Sequence, residues 1–135
     1  MMPVEMSYLV ASSALFAVMI LVQALFRISS NSVGFLLGPR DGMKDKTPQC
    51  ERARRANNNM IEAMIMFIPL IVAAAYLDRF NSVTALGATM FFWGRVAFAP
   101  LYWFGVPVLR TVAWTVAVLG LALIFSQLVP PGLDF

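Results

Sequence analysis

The side chains able to do chemistry in this chain are few, and they fall into three groups. Arg55, Asn59 and Glu62 follow an i, i+4, i+7 pattern, which puts all three on one face of a helix. Arg95, Phe98 and Tyr102, at i, i+3, i+7, share a second helical face, and Arg110, Thr111 and Trp114 occupy the first turns of a third helix. Glu62 and Arg95 both sit within strongly apolar sequence. A charge at mid-membrane costs about 2.5–3.5 kcal/mol on insertion scales, so such a residue points to a functional site and needs a partner. The partner expected for Glu62 is Arg95. A brace between these two that only orients helices would leave Arg55, Asn59, Tyr102 and Arg110 without a role. Surplus guanidinium suits a small anionic ligand bearing carboxylates, which arginine binds in a bidentate fork.

Other chemistries are narrowed by what the chain lacks. It has no histidine, so no histidine base or metal ligand is available. Its single cysteine, Cys50, excludes an internal disulfide and any multi-cysteine metal site. The arginines beside Cys50 could activate it as a nucleophile, but a bystander thiol is the plainer reading.

The elements that must position these residues follow from composition and punctuation. The chain has 135 residues, of which 60% are hydrophobic and 13% charged. Soluble chains carry about 25% charged residues, so a membrane protein is expected. Four spans of ~20 residues with their connections use the whole length, leaving a single domain built as an all-α, integral-membrane four-helix bundle. The expected helices are 6–26, 48–76, 82–104 and 107–129. Glu5 precedes the first apolar run and Arg27 follows it, the reverse of a secretory signal. Gln23, inside that run, suits a helix–helix hydrogen bond. Gly34, Gly38, Pro39 and Gly42 mark 29–47 as a loop. Thr47 and Pro48 then supply an N-cap and a first-turn proline. The helix they open is roughly 42 Å long at 1.5 Å per residue, so its first turns project beyond a ~30 Å hydrocarbon core. Pro69 predicts a kink in it, tolerable among neighbouring helices. Residues 78–82 and 105–107 form turns, and Pro130, Pro131 and Gly132 end the last helix. Ala113, Ala117 and Gly120 make a small-residue stripe suited to close helix contact.

Charge fixes the expected orientation. Seven of the ten Lys and Arg residues lie between Arg27 and Arg55. A run between two spans is a positive-inside signal rather than a nucleic-acid patch, so this loop is expected in the cytoplasm and both termini outside. Glu62 then lies about 16 Å along its helix from Glu51, and Arg95 about 14 Å in from Phe104, on the same side. Arg110 stands close to that interface. Three helices thus bring their polar groups to one membrane-edge cavity.

These residues have a familiar arrangement. ERARRANNNMIE, with Glu51, Arg52, Arg55, Ala56, Asn59 and Glu62 in register, resembles the signature of the MAPEG superfamily, the membrane-associated proteins of eicosanoid and glutathione metabolism. RVAFAPLYWFGVPVLRTVAW is similar to that family's segment joining its third and fourth helices, with Arg95, Tyr102 and Arg110 in place. GPRDG, residues 38–42, is similar to a loop of bacterial members. The resemblance implies a homotrimer in a bacterial inner membrane, with periplasmic termini and glutathione bound between subunits near the cytoplasmic face. It implies that Arg55, Asn59, Glu62, Tyr102 and Arg110 contact glutathione and that Arg95 pairs with Glu62. Arg110 or Thr111 would stabilise the thiolate, which a thiol with an ordinary pKa of about 8.5 needs in order to ionise at neutral pH. The pattern also departs from the family. Asn57 replaces a common histidine and Met60 a frequent aspartate. Phe98 and Trp114 stand where the prostaglandin-forming members have histidine and tyrosine, which argues against that reaction.

The leading expectation is a glutathione-dependent membrane transferase or peroxidase acting on lipophilic electrophiles drawn from the bilayer. The alternative is a non-catalytic binding or scaffold protein of the same fold. A third class, a small four-span exporter, requires a membrane carboxylate that exchanges protons near neutrality, and a neighbouring arginine works against protonation.

Overall fold

The computed structural model describes residues 1–43 and 47–130, and these form helices and connecting turns. Five helices follow one another: α1 Val4–Ser30, α2 Val33–Leu37, α3 Pro48–Tyr76, α4 Ser82–Trp103 and α5 Pro107–Leu128. Lys44 and Lys46 of the basic run, and Pro131 and Gly132 of the stop signal, lie outside the described residues.

The boundaries follow local chemistry. The Thr47 hydroxyl accepts from the Cys50 amide at 3.2 Å, with Pro48 at the first helical position. Asn81 and Thr84 form a reciprocal capping box at the start of α4. α1 is longer than the expected 6–26 at both ends. At its C-terminus the hydroxyls of Ser29 and Ser30 return to the Phe26 carbonyl, at 2.8 and 2.6 Å, and Arg27 complements the helix dipole. The expected 29–47 loop contains the short α2, capped by Ser32 through the Phe35 amide. α3 is continuous through Pro69, and α4 carries a second internal proline, Pro100.

Of the four expected spans, α1, α3 and α5 are long and apolar enough to cross a bilayer. α4 differs. Its 22 residues reach about 33 Å, but Arg95, its glycines and its polar first turn lower its hydropathy, and it turns Phe91, Arg95 and Phe98 into the bundle.

The long helices alternate in direction. At one end, Ser30 on α1 meets Cys50 on α3 at 3.2 Å, and the Gly105 turn between α4 and α5 lies against Arg52. At the other, Thr84 on α4 donates to the buried Glu5 carboxylate of α1 at 2.5 Å, and Asn81 donates to Gln127 of α5 at 3.0 Å. Both ends of the described chain therefore lie with the 78–82 turn, opposite the basic loop. Gln23 plays its expected part, accepting from Asn57 across the α1–α3 contact at 2.6 Å. Phe67 and Phe91 stack at 4.0 Å between α3 and α4, within a core that includes Met19, Met60, Ile71 and Ile124.

The closest helix pair is α4–α5. Ala113, Ala117 and Gly120 are all buried against it, as their spacing predicts, and they meet Gly87 and Gly94 of α4. Without a strong hydrophobic drive between helices in lipid, this backbone-to-backbone approach supplies the packing. A Cβ added at Gly87 would stand 2.6 Å from the Gly120 carbonyl oxygen, a contact neither backbone can relieve locally. Gly87→Val is therefore expected to cost about 2 kcal/mol, a typical overpacking penalty. Gly34→Ala, where a Cβ meets nothing within 4 Å, should cost nothing. Thermal unfolding of both variants in the same detergent checks this; equal melting temperatures would contradict the α4–α5 contact.

Candidate functional site

The three consecutive asparagines of α3 are divided among three environments because successive helical residues are turned by about 100°. Asn57 faces α1 and bonds Gln23; Asn58 is exposed; Asn59 faces α4. One turn earlier, Arg55 pairs with Glu51 along its own helix, and both side chains are largely exposed. Among the described residues, Arg55 makes no hydrogen bond or ion pair with α4 or α5.

Arg95 is the centre of the site. It is 1% exposed, the largest fully buried side chain described. Its Nη1 donates to Asn59 Oδ1 at 2.7 Å, and its guanidinium lies over the Phe98 ring, 4.2 Å from the centroid. Its Nε and Nη2 are buried without a hydrogen-bond partner. The expected ion pair with Glu62 is not formed; Asn59 takes that place. The reason is angular. Three residues advance a helix by 300°, so Glu62 is turned about 60° from Asn59, enough to carry its carboxylate from the α4 face to the outer side of α3. Glu62 is exposed, yet it acts on Arg95 electrostatically and lines the same cavity of about 130 Å³, together with Asn59, Trp114 and Ala117.

A second group lies nearer the basic end. Arg110 sits over the Tyr102 ring, 4.5 Å from its centroid, and Tyr102 lies 5.3 Å from Phe98. Arg95 and Arg110 thus flank the neighbouring rings of Phe98 and Tyr102, one guanidinium over each ring, a favourable cation–π arrangement. Arg110 is half-buried and makes no hydrogen bond or ion pair among the described residues, so its donors are free. Thr111 differs. Its exposed hydroxyl donates to the Pro107 carbonyl at 3.0 Å, which commits its proton to the first turn of α5.

The structure therefore joins Asn59, Glu62 and Arg95 in one cavity and Tyr102 with Arg110 beside it, while Arg55 and Thr111 stand apart. Arg52 was absent from the expected site. Its guanidinium packs on the turn between α4 and α5, where a Cβ on Gly105 (φ 69°) would stand 2.8 Å from Cζ. No spacing rule links Arg52 to a turn more than fifty residues away. The Gly-Val-Pro sequence signals the turn alone. Cys50 is buried against Ser30, away from this cavity.

A model of the MAPEG family matches residues 6–129. The chain belongs to the MAPEG family. No curated protein and no solved structure matches it. The family includes glutathione-dependent transferases as well as non-catalytic members. In this MAPEG chain the polar cavity is far smaller than the roughly 300–1,000 Å³ of small-molecule pockets. Its donor chemistry fits an anionic ligand, but its volume within one chain does not.

The buried bond between Asn59 and Arg95 has a measurable consequence. Asn59→Leu strips a buried cation of its one hydrogen bond and should cost about 1–3 kcal/mol. Adding Arg95→Met removes the stranded charge and should recover most of that loss, since apolar replacement of both partners is often neutral. A double-mutant cycle read by thermal unfolding tests this; additive losses would show that the two side chains do not depend on each other.

Proposed function

We propose that this MAPEG protein is a membrane-bound, glutathione-dependent transferase or peroxidase acting on lipophilic electrophiles. The observation that carries this reading is the buried Arg95, with two guanidinium nitrogens lacking partners among the described residues, at a cavity lined by the exposed Glu62 and Trp114. Buried donors without partners are rare in native proteins and cost about 1–3 kcal/mol each, so a ligand or second chain that satisfies them is favoured. Glu62 and Trp114 border the cavity and are exposed on its outer side. A second copy of the chain against this side would enlarge the cavity to ligand size, in keeping with a homotrimer holding glutathione between subunits. In that arrangement Asn59, Glu62, Arg95 and Tyr102 position the tripeptide, Arg55 meets one of its carboxylates, and α4 serves as the fourth span. The concentration of basic residues at this end supports a cytoplasmic location, with both termini on the periplasmic side of a bacterial inner membrane.

The thiolate is assigned to Arg110 in preference to Thr111. Arg110 has unpaired donors and permanent charge, whereas the Thr111 proton is held by Pro107. Bound glutathione should therefore show thiolate absorbance in the ultraviolet. Arg110→Ala should abolish that band and weaken binding about tenfold or more, the scale of a hydrogen bond to a charged group. Thr111→Val should leave both nearly unchanged. Titration calorimetry in detergent and in lipid gives the affinities; the absence of saturable glutathione binding in either medium would overturn the reading.

One observation favours a second reading, a binding or scaffold protein without catalysis: the Thr111 hydroxyl beside Arg110 on α5 is already committed to the backbone. Saturable binding with no thiolate band would select it.

A further inference from the structure

A second polar-edged cavity, larger than the one at Arg95, stands apart from it. It lies between the last turns of α1 and the short α2, has a volume of about 350 Å³, and is open to the outside on one side. Its walls are apolar, from Ile20, Ala24 and Ile28 on α1 to Val33 and Leu36 on α2, and Arg27 and Arg40 stand at its rim. Gln23, one turn before Arg27, contributes an amide to the interior. Three features tie this cavity to the edge of a membrane. α1 is long and apolar enough to span one, and the cavity sits at the end of α1 where the chain's basic residues concentrate. α2 buries Leu36 but exposes Val33, Phe35 and Leu37, so it presents apolar side chains outward at that level.

Arg40 is placed deliberately. It stands within the GPRDG segment at φ 60°, a left-handed conformation that residues other than glycine seldom adopt. Its Nε donates to the Leu36 carbonyl at 2.6 Å, which uses an otherwise open acceptor at the end of α2 and fixes the side chain against the cavity. The Nη groups make no hydrogen bond or ion pair among the described residues and remain available to an anion. A cavity with an apolar floor and guanidinium at its mouth complements an amphiphile with a negative head and an alkyl tail.

We propose that the α1–α2 cavity is a binding site for one anionic phospholipid of the surrounding leaflet, its phosphate at Arg40 and an acyl chain against Ile20, Ala24 and Ile28. The lipid would fasten α2 and the GPRDG segment to α1. The end of α1 in turn touches the start of α3 through Ser30 and Cys50. The site shares no residue with those assigned to glutathione, so it stands or falls independently of the proposed reaction.

Native mass spectrometry of the purified protein, released from micelles containing equal amounts of phosphatidylglycerol and phosphatidylcholine, tests the assignment. The expected result is one retained phosphatidylglycerol per chain in preference to phosphatidylcholine. Arg40→Gln should lower that occupancy about fivefold, the contribution of one basic side chain to anionic-lipid attraction near a surface. Ala24→Trp, which fills the cavity without changing charge, should lower it as well, so the test survives if either variant fails to fold by circular dichroism. Arg54→Gln, which removes a charge from the same end outside the cavity, should leave it unchanged. Equal retention of the two lipids, no effect of Arg40→Gln and Ala24→Trp, or an equal effect of Arg54→Gln would overturn the proposal, the last by reducing it to diffuse attraction.

Discussion

A buried guanidinium that is not fully satisfied governs the rest of this structure. Arg95 lies inside a bundle where an unpaired charge is costly, and the protein meets that cost with one amide, one aromatic face and the longer-range field of one carboxylate. Each of these comes from a helix held at a fixed angle to α4. Asn59 and Glu62 depend on the rotation of α3, which the Asn57–Gln23 bond fixes against α1. Phe98 and Tyr102 depend on α4, whose approach to α5 rests on glycine and alanine. The packing of three helices thus decides which groups reach Arg95.

The two ends of the bundle are chemically different. At the basic end lie the Arg95 cavity, Arg110, the Arg52-supported turn and the cavity between α1 and α2. At the far end, the polar contacts are structural: Thr84 both caps α4 and binds the Glu5 carboxylate, and Asn81 joins α5 through Gln127. Both proposed binding sites lie where charge is concentrated. The far end locks helix against helix.

What could be read from the sequence was mainly what is local along the chain. Thr47 with Pro48, Asn81 with Ser82, and Gly105 with Pro107 mark helix ends through their own backbone chemistry, and three long helices begin where those signals stand. Counting residues from those ends also brought Glu62, Arg95 and Arg110 to one end of the bundle. Counting gives height but not azimuth. Whether Asn59 or Glu62 faces Arg95 turns on a rotation of about 60°, which is set by contacts with α1 that no pattern in α3 displays. The same holds for Gly87 and Gly94, legible only once their small partners on α5 lie opposite them, and for Glu5, whose partner is 79 residues away. α2 escaped notice because five residues with one buried side chain carry almost no periodic signal.

The central claim is that the incompletely satisfied Arg95 is kept for a ligand. The most direct measurement is the melting temperature with and without saturating glutathione, compared between the unmodified protein and the Asn59→Leu, Arg95→Met double variant. A ligand that binds only the folded state raises stability in proportion to its occupancy. The unmodified protein should be stabilised by glutathione, while the double variant should remain folded and show no shift. A double variant stabilised as strongly as the unmodified protein would show that glutathione does not use Arg95, and would contradict the claim.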